Sequence, residues 1–200
     1  TLRGGAVEKM WFELGKQFSS KGHTIVHISR RFTGLPNVES ISSVTHIRIR
    51  GYDWPSNPFV LKFLDFFYSL RALASLPNAD ILITNTFWLP IFASFLQFKF
   101  GKVIVDVQRI PKGQLPLYFL VSALRANSNA VVNSIYIQAP FLKKKVFMVP
   151  NPLPYFESNY RLEKQNIILF AGRIHPEKGI ELLLRSFVLA CSQGLTNWTL

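Results

Sequence analysis

The stretch ADILITNTFWLPIFASFLQFKFGKVIVDV, residues 79–107, decides the fold. Residues 79–85 form a short apolar run of strand character, and residues 102–107 form a second, rich in valine. Between them, residues 87–101 read as a helix. Two strands joined through a helix run parallel, because the crossover carries the chain back to the same end of the sheet.

The alternation continues on both sides. Residues 6–22 place Val7, Met10, Trp11, Leu14 and Phe18 at helical spacing, with Gly22 as the stop. HTIVHIS (23–29) reads as a buried strand, and THIRIRG (45–51) alternates as a half-exposed one. Residues 57–76 are expected to form a helix capped by Asn57, with Pro58 in its first position. The phenylalanines of that helix, Phe59, Phe63, Phe66 and Phe67, fall at spacings that suit a core-facing side. Residues 115–127 are expected to be helical, and 130–134 and 145–151 to be strands. The series implies α/β architecture, a parallel sheet with helices on both faces.

Residues 150–165, PNPLPYFESNYRLEKQ, hold three prolines and then polar side chains, after which the strand–helix pattern restarts at Ile167. Two domains with a cleft between them are therefore expected: 1–150, a joint at 151–166, and the start of a second unit at 167–200. The chain begins at Thr1 without methionine, directly before Gly4 and Gly5, and stops at Leu200 inside an apparent strand. Both ends read as cut, so the expectation is a piece of a longer protein.

Of the 200 residues, 48% are hydrophobic and 17% charged, which excludes a disordered chain. The net charge of +12 and a pI near 10.1 suit an anionic partner such as a phosphate, a nucleic acid or an acidic membrane, although a basic surface without such a partner fits equally. The single cysteine, Cys191, allows no internal disulfide and no zinc site built on cysteines, and its helical neighbours suggest a small core residue. The longest apolar stretches, 59–76 and 87–100, are interrupted by charged residues, glutamine and proline, so neither reads as a membrane span. A nucleic-acid binder is disfavoured because no helix carries a regular basic face. A dehydrogenase is disfavoured because Gly-x-Gly-x-x-Gly is absent.

FAGRIHPEKGIELLLRSF, residues 170–187, gathers Gly172, Arg173, Lys178 and Gly179 where a strand hands over to an amphipathic helix. Ligands of open α/β sheets bind beyond the carboxyl ends of the strands, and a helix start there favours phosphate. Arg173 can fork onto phosphate oxygens, and Lys178 adds a movable point charge. The same residues also fit an ordinary strand-to-helix turn with two exposed cations.

GRIHPEKG is similar to the Gly-Arg-x-x-x-x-Lys-Gly signature of the family-4 glycosyltransferases (glycosyl transferases group 1), retaining enzymes of the GT-B fold. RGGAVEKMWFELGKQFSSKGHTIVHIS resembles their Gly-Gly loop, first helix and Gly-His turn, and VFMVPNPLPYF resembles the segment closing their N-terminal domain. The resemblance spans the chain, with its specific motifs at the two ends. It implies two Rossmann-like domains with parallel sheets, the first lacking its first strand and the second incomplete.

The resemblance further implies sugar transfer from a UDP- or GDP-linked donor to a glycan or lipid-linked acceptor, with no metal and no other cofactor. Arg173 and Lys178 would hold the departing diphosphate. Gly4, Gly5, Gly172 and Asn151 would bind substrate, with Asn151 and Pro152 at the domain hinge; Arg109, which stands in a loop that departs from the family, is expected to bind substrate too, although it and Asp106 fit a scaffold ion pair equally. Expected partners are the nucleotide-sugar, the acceptor and an anionic membrane surface at the cytoplasmic face, but no nucleic acid. LKKKVF (142–147) and the Phe-rich helix are the segments that would meet the membrane; a solvated charge run and a buried core helix are the competing reading.

Two features depart from the family. Many relatives carry His-Asp after the strand that KVIVDVQRIPKG resembles, whereas Asp106, Gln108 and Arg109 stand here. The family's pair of glutamates is not within the sequence. A non-catalytic nucleotide- or glycan-binding module of the same fold is the alternative. His23 reads as a turn residue, His175 as a loop residue and Glu177 as a first-turn carboxylate.

Overall fold

The computed structural model describes all residues except 1–4, 54, 56, 153–162, 164 and 173. The chain divides into two compact units, residues 1–155 and 156–200. Most of the Pro-rich joint expected at 151–166 lies outside the described residues.

The first unit opens with helix α1 (Ala6–Ser20), which leads into β1 (Ile25–Arg30). β2 (Val38–Ile41) and β3 (Val44–Ile49) form a hairpin whose two turn residues, Ser42 and Ser43, both have positive φ, at 52° and 61°. That left-handed pair matches the twist of the flanking strands. β1 then pairs parallel with β3, giving the order β1-β3-β2.

Helix α2 (Pro58–Ser75) starts as expected: the Asn57 side chain accepts from the Phe59 amide at 2.9 Å, and Pro58 needs no donor in the first turn. A second sheet follows, made of β4 (Ile81–Thr84), β5 (Lys102–Val107), β6 (Ala123–Ala126) and β7 (Val146–Met148). Its order is β4-β5-β6-β7 and every pairing is parallel. The crossovers are α3 (Leu89–Ser94) with the short α4 (Gln97–Phe100), a 3₁₀ turn at Leu115–Tyr118, and α5 (Asn129–Gln138). The four-stranded parallel sheet flanked by helices is a Rossmann-like α/β fold. Its core joins Val103, Val105, Leu124 and Ala126 of the strands to Ala72, Ala93 and Ile135 of the helices.

Several local expectations are corrected. Residues 115–127 are not one helix, because the 3₁₀ turn stops at Tyr118 and β6 takes 123–126. Residues 130–134 are not a strand but the body of α5, which Ser128 caps by accepting from the Val131 amide. The helix of 87–101 breaks between Ser94 and Gln97. β3 is not half-exposed: it lies between two neighbours, and His46 and Arg48 are as buried as Ile49. Arg48 is satisfied there by Glu39 and by the Pro36 carbonyl. The phenylalanines of α2 are not all core, since Phe59 and Phe63 stand out in solvent.

The second unit pairs Ile167 with Thr199 in a parallel bridge and places α6 (Ile180–Ser192) between them, a crossover of the same hand-over type. No residue of α6 is buried, so Cys191 is exposed rather than core. Among the described residues, no helix is long and apolar enough to cross a membrane.

Candidate functional site

In a parallel sheet every strand ends on the same side, and residues just past those ends meet. In the first unit the carboxyl-end residues Asp106 of β5 and Arg125 of β6 meet Asn151, which follows β7. The Arg125 guanidinium donates to Asp106 Oδ1 at 2.7 Å, to Asn151 Oδ1 at 2.8 Å and to the Pro150 carbonyl at 3.0 Å. Asp106 also accepts from the indole N–H of Trp11 at 2.7 Å and from Gln108 Nε2 at 2.8 and 2.7 Å. Both members of the ion pair are buried. A charge pair out of water is tolerated only when its remaining hydrogen-bonding capacity is met, as it is here. Each Asp106 oxygen thus already accepts from neighbours, the arrangement of a scaffold ion pair.

Around this pair, the amides are oriented by one another. Gln108 Oε1 accepts from Asn127 Nδ2 at 3.2 Å and from Asn151 Nδ2 at 3.0 Å. Asn127 Nδ2 also reaches the Gln108 carbonyl at 3.1 Å, which fixes its amide orientation. Asn127 Oδ1 is consequently turned to a buried position where it accepts from no described group. An orphaned buried acceptor costs free energy unless a ligand or water donates to it.

Arg109 follows immediately on the exposed side, and among the described residues it has no carboxylate partner. Its loop is held from α5: Gln138 accepts from the Gly113 amide at 3.1 Å and donates to the Pro111 carbonyl at 2.8 Å. A fixed loop, an unpaired guanidinium and oriented amides suit a polyhydroxylated or anionic ligand.

Gly5 is the N-cap of α1 in extended conformation, and the Glu8 carboxylate lies over it, 2.6 Å from where a Cβ would stand. Gly4 lies outside the described residues.

In the second unit, His175 caps the 3₁₀ turn Pro176–Lys178, its Nδ1 accepting from the Glu177 amide at 3.4 Å. Gly179 follows in the left-handed region at φ 66° and serves as the N-cap of α6. That conformation favours glycine and lets the chain turn straight from Lys178 into the helix. Gly172 and Lys178 are both exposed, and Arg173 lies outside the described residues.

The structure thus gathers Arg109 and Asn151 around the sheet end of the first unit, and sets Gly172 and Lys178 on the turn of the second. Sequence reading missed Trp11, Arg125 and Asn127. The available signal was polar: Asp106 ends a run of buried valines, and a carboxylate there requires a partner. No family model and no curated protein matches the chain.

Proposed function

We propose that the protein is a retaining, metal-independent glycosyltransferase of the GT-B type, moving a sugar from a nucleotide-diphosphate sugar to a glycan or lipid-linked acceptor in polysaccharide or cell-envelope glycan synthesis. The observation carrying the reading is the turn at 172–179, where Lys178 directly precedes a left-handed glycine and the N-terminus of α6. Free N–H groups, the positive end of a helix and a lysine all favour a diphosphate. Arg173, five residues earlier in the sequence, supplies the bidentate contact that the family signature implies.

In this reading the bond between the anomeric carbon and the diphosphate oxygen breaks as the acceptor hydroxyl oxygen bonds to the same carbon from the same face. The hydroxyl proton passes to the departing phosphate oxygen. No side-chain base is required, in keeping with the full engagement of Asp106. The demanding part is stabilising negative charge on the leaving group, the task of Arg173 and Lys178. Arg109 binds substrate by charge, from its exposed position beside the amides of Gln108 and Asn151. The protein works at the cytoplasmic face of a membrane.

Incubation with UDP- and GDP-sugars tests this. Release of nucleoside diphosphate, with a product whose anomeric configuration is that of the donor by NMR, supports transfer. Saturable nucleotide binding without turnover on any donor supports the binding-module alternative, and inversion of configuration overturns the mechanism.

A further inference from the structure

Helix α2 and the α3–α4 segment pack together and carry large aromatic side chains into solvent. Phe59 is 80% exposed, Phe63 63%, Phe95 65% and Phe98 87%. Single exposed apolar residues are ordinary, but several on two adjoining elements mark an interaction surface. A hollow of about 360 Å³ opens among Phe63, Phe66, Trp88 and the stem of Lys62. The Trp88 indole N–H is already satisfied by the Lys62 carbonyl at 2.9 Å, so the ring can enter an apolar phase without an orphaned donor.

The charges nearest Phe63 and Trp88 are basic, while the exposed carboxylates of Asp53 and Asp80 lie further along, beside Tyr52 and α4. Lys62 lies 5.2 Å over the Phe87 ring, and Lys99 donates to the Leu73 carbonyl, which ties α4 to α2. Arg71 stacks on Tyr52. The one carboxylate of α2, Asp65, is turned inward and accepts from the Phe87 and Trp88 amides, both at 3.0 Å. Residues 81–105 contain no acidic residue. Aromatic rings beside lysine and arginine on helices, whose backbone groups are internally satisfied, suit the headgroup region of an anionic bilayer.

We infer that the α2 and α3–α4 face docks on an anionic lipid surface, with Phe59, Phe63 and Trp88 entering the headgroup region and Lys62 meeting lipid phosphate. This rests on the proposed transfer only in giving that reaction a place to meet a lipid-linked acceptor. Vesicle binding is read without turnover, so the two can fail separately.

The test is co-sedimentation with phosphatidylcholine vesicles, with and without phosphatidylglycerol, at low and high salt, alongside quenching of tryptophan fluorescence by brominated acyl chains. The protein should bind the anionic vesicles preferentially and more weakly at high salt. Phe59→Ser combined with Phe63→Ser should weaken binding at least about tenfold through lost apolar burial. Lys62→Glu should weaken it about fivefold or more. Brominated lipid should quench the wild type and quench Trp88→Phe much less, a readout that does not depend on the stability of the serine variants. Equal binding to neutral vesicles, undiminished binding by the correctly folded serine variants, or quenching unchanged in Trp88→Phe would each overturn the inference. Failure to sediment with any vesicle would do so too, whether or not donor turnover is found.

Discussion

At the scale of single residues, two polar clusters stand apart, one an ion pair and the other a pair of histidines. The Asp106–Arg125 pair is held from α1, β5, β6 and the segment after β7, so removing one member leaves an uncompensated charge in a dry site. Arg125→Ala is expected to lower unfolding stability by about 3–5 kcal/mol in denaturant titrations. Arg109→Ala, at an exposed position, should shift stability by less than about 0.5 kcal/mol while weakening substrate binding. A large stability loss in Arg109→Ala would show that Arg109 is scaffold as well. The second cluster is His27 against His46, rings 5.1 Å apart, with Phe12 beside His46. Burial, with His46 adding to it, lowers the His27 pKa from 6.5 to about 4. Between those values the unfolded chain binds the extra proton and the folded chain does not. The associated stability is present above pH 6.5 and is lost as pH falls toward 4, by up to roughly 3 kcal/mol. His27→Gln should flatten this acid limb in a series of unfolding curves, and an unchanged limb would assign the acid sensitivity elsewhere.

At the scale of elements, legibility followed how local the determining interaction is. α2 could be bounded from sequence because Asn57 and Pro58 act within its own first turn, and Asn57→Ala should cost about 1 kcal/mol by thermal unfolding. β5 was legible as a continuous valine-rich run. Residues 115–138 were not, because apolar content there cannot distinguish a helix from a buried strand, and tertiary pairing with β5 and β7 selects strand for 123–126. The start of α5 was hidden by Val131 and Val132, β-branched residues that suggest strand until Ser128 is recognised as the cap. The Ser42–Ser43 hairpin lacked the glycine or asparagine that usually announces one. In the site, Asn151 lies in a segment that resembles a family motif, and Arg109 in a loop that departs from one. Arg125 was concealed because its strand had been read as a helix. Gly101, read as the last residue of a helix, is instead the turn after α4: at φ 52° a Cβ there would run into the Asp80 carbonyl oxygen. Gly101→Ala should therefore destabilise by at least about 2 kcal/mol, and a neutral effect would mean that the connection into β5 can rearrange.

At the scale of the whole molecule, the two units divide the chemistry. The first offers an arginine with no carboxylate partner among the described residues, beside oriented amides at the end of a parallel sheet. The second offers a lysine at the head of a helix that follows directly on a glycine turn. Under the proposed function, the basic balance of +12 would suit phosphate on both counts, as donor diphosphate and as lipid headgroup. The central claim is that Arg173 and Lys178 stabilise the departing diphosphate, and the most direct measurement is donor turnover by Arg173→Ala and Lys178→Ala beside the unaltered protein. Each substitution is expected to lower kcat by at least about a hundredfold, since the interaction strengthens as the bond breaks. Turnover unchanged in both variants, with each folded as the parent is, would contradict the account.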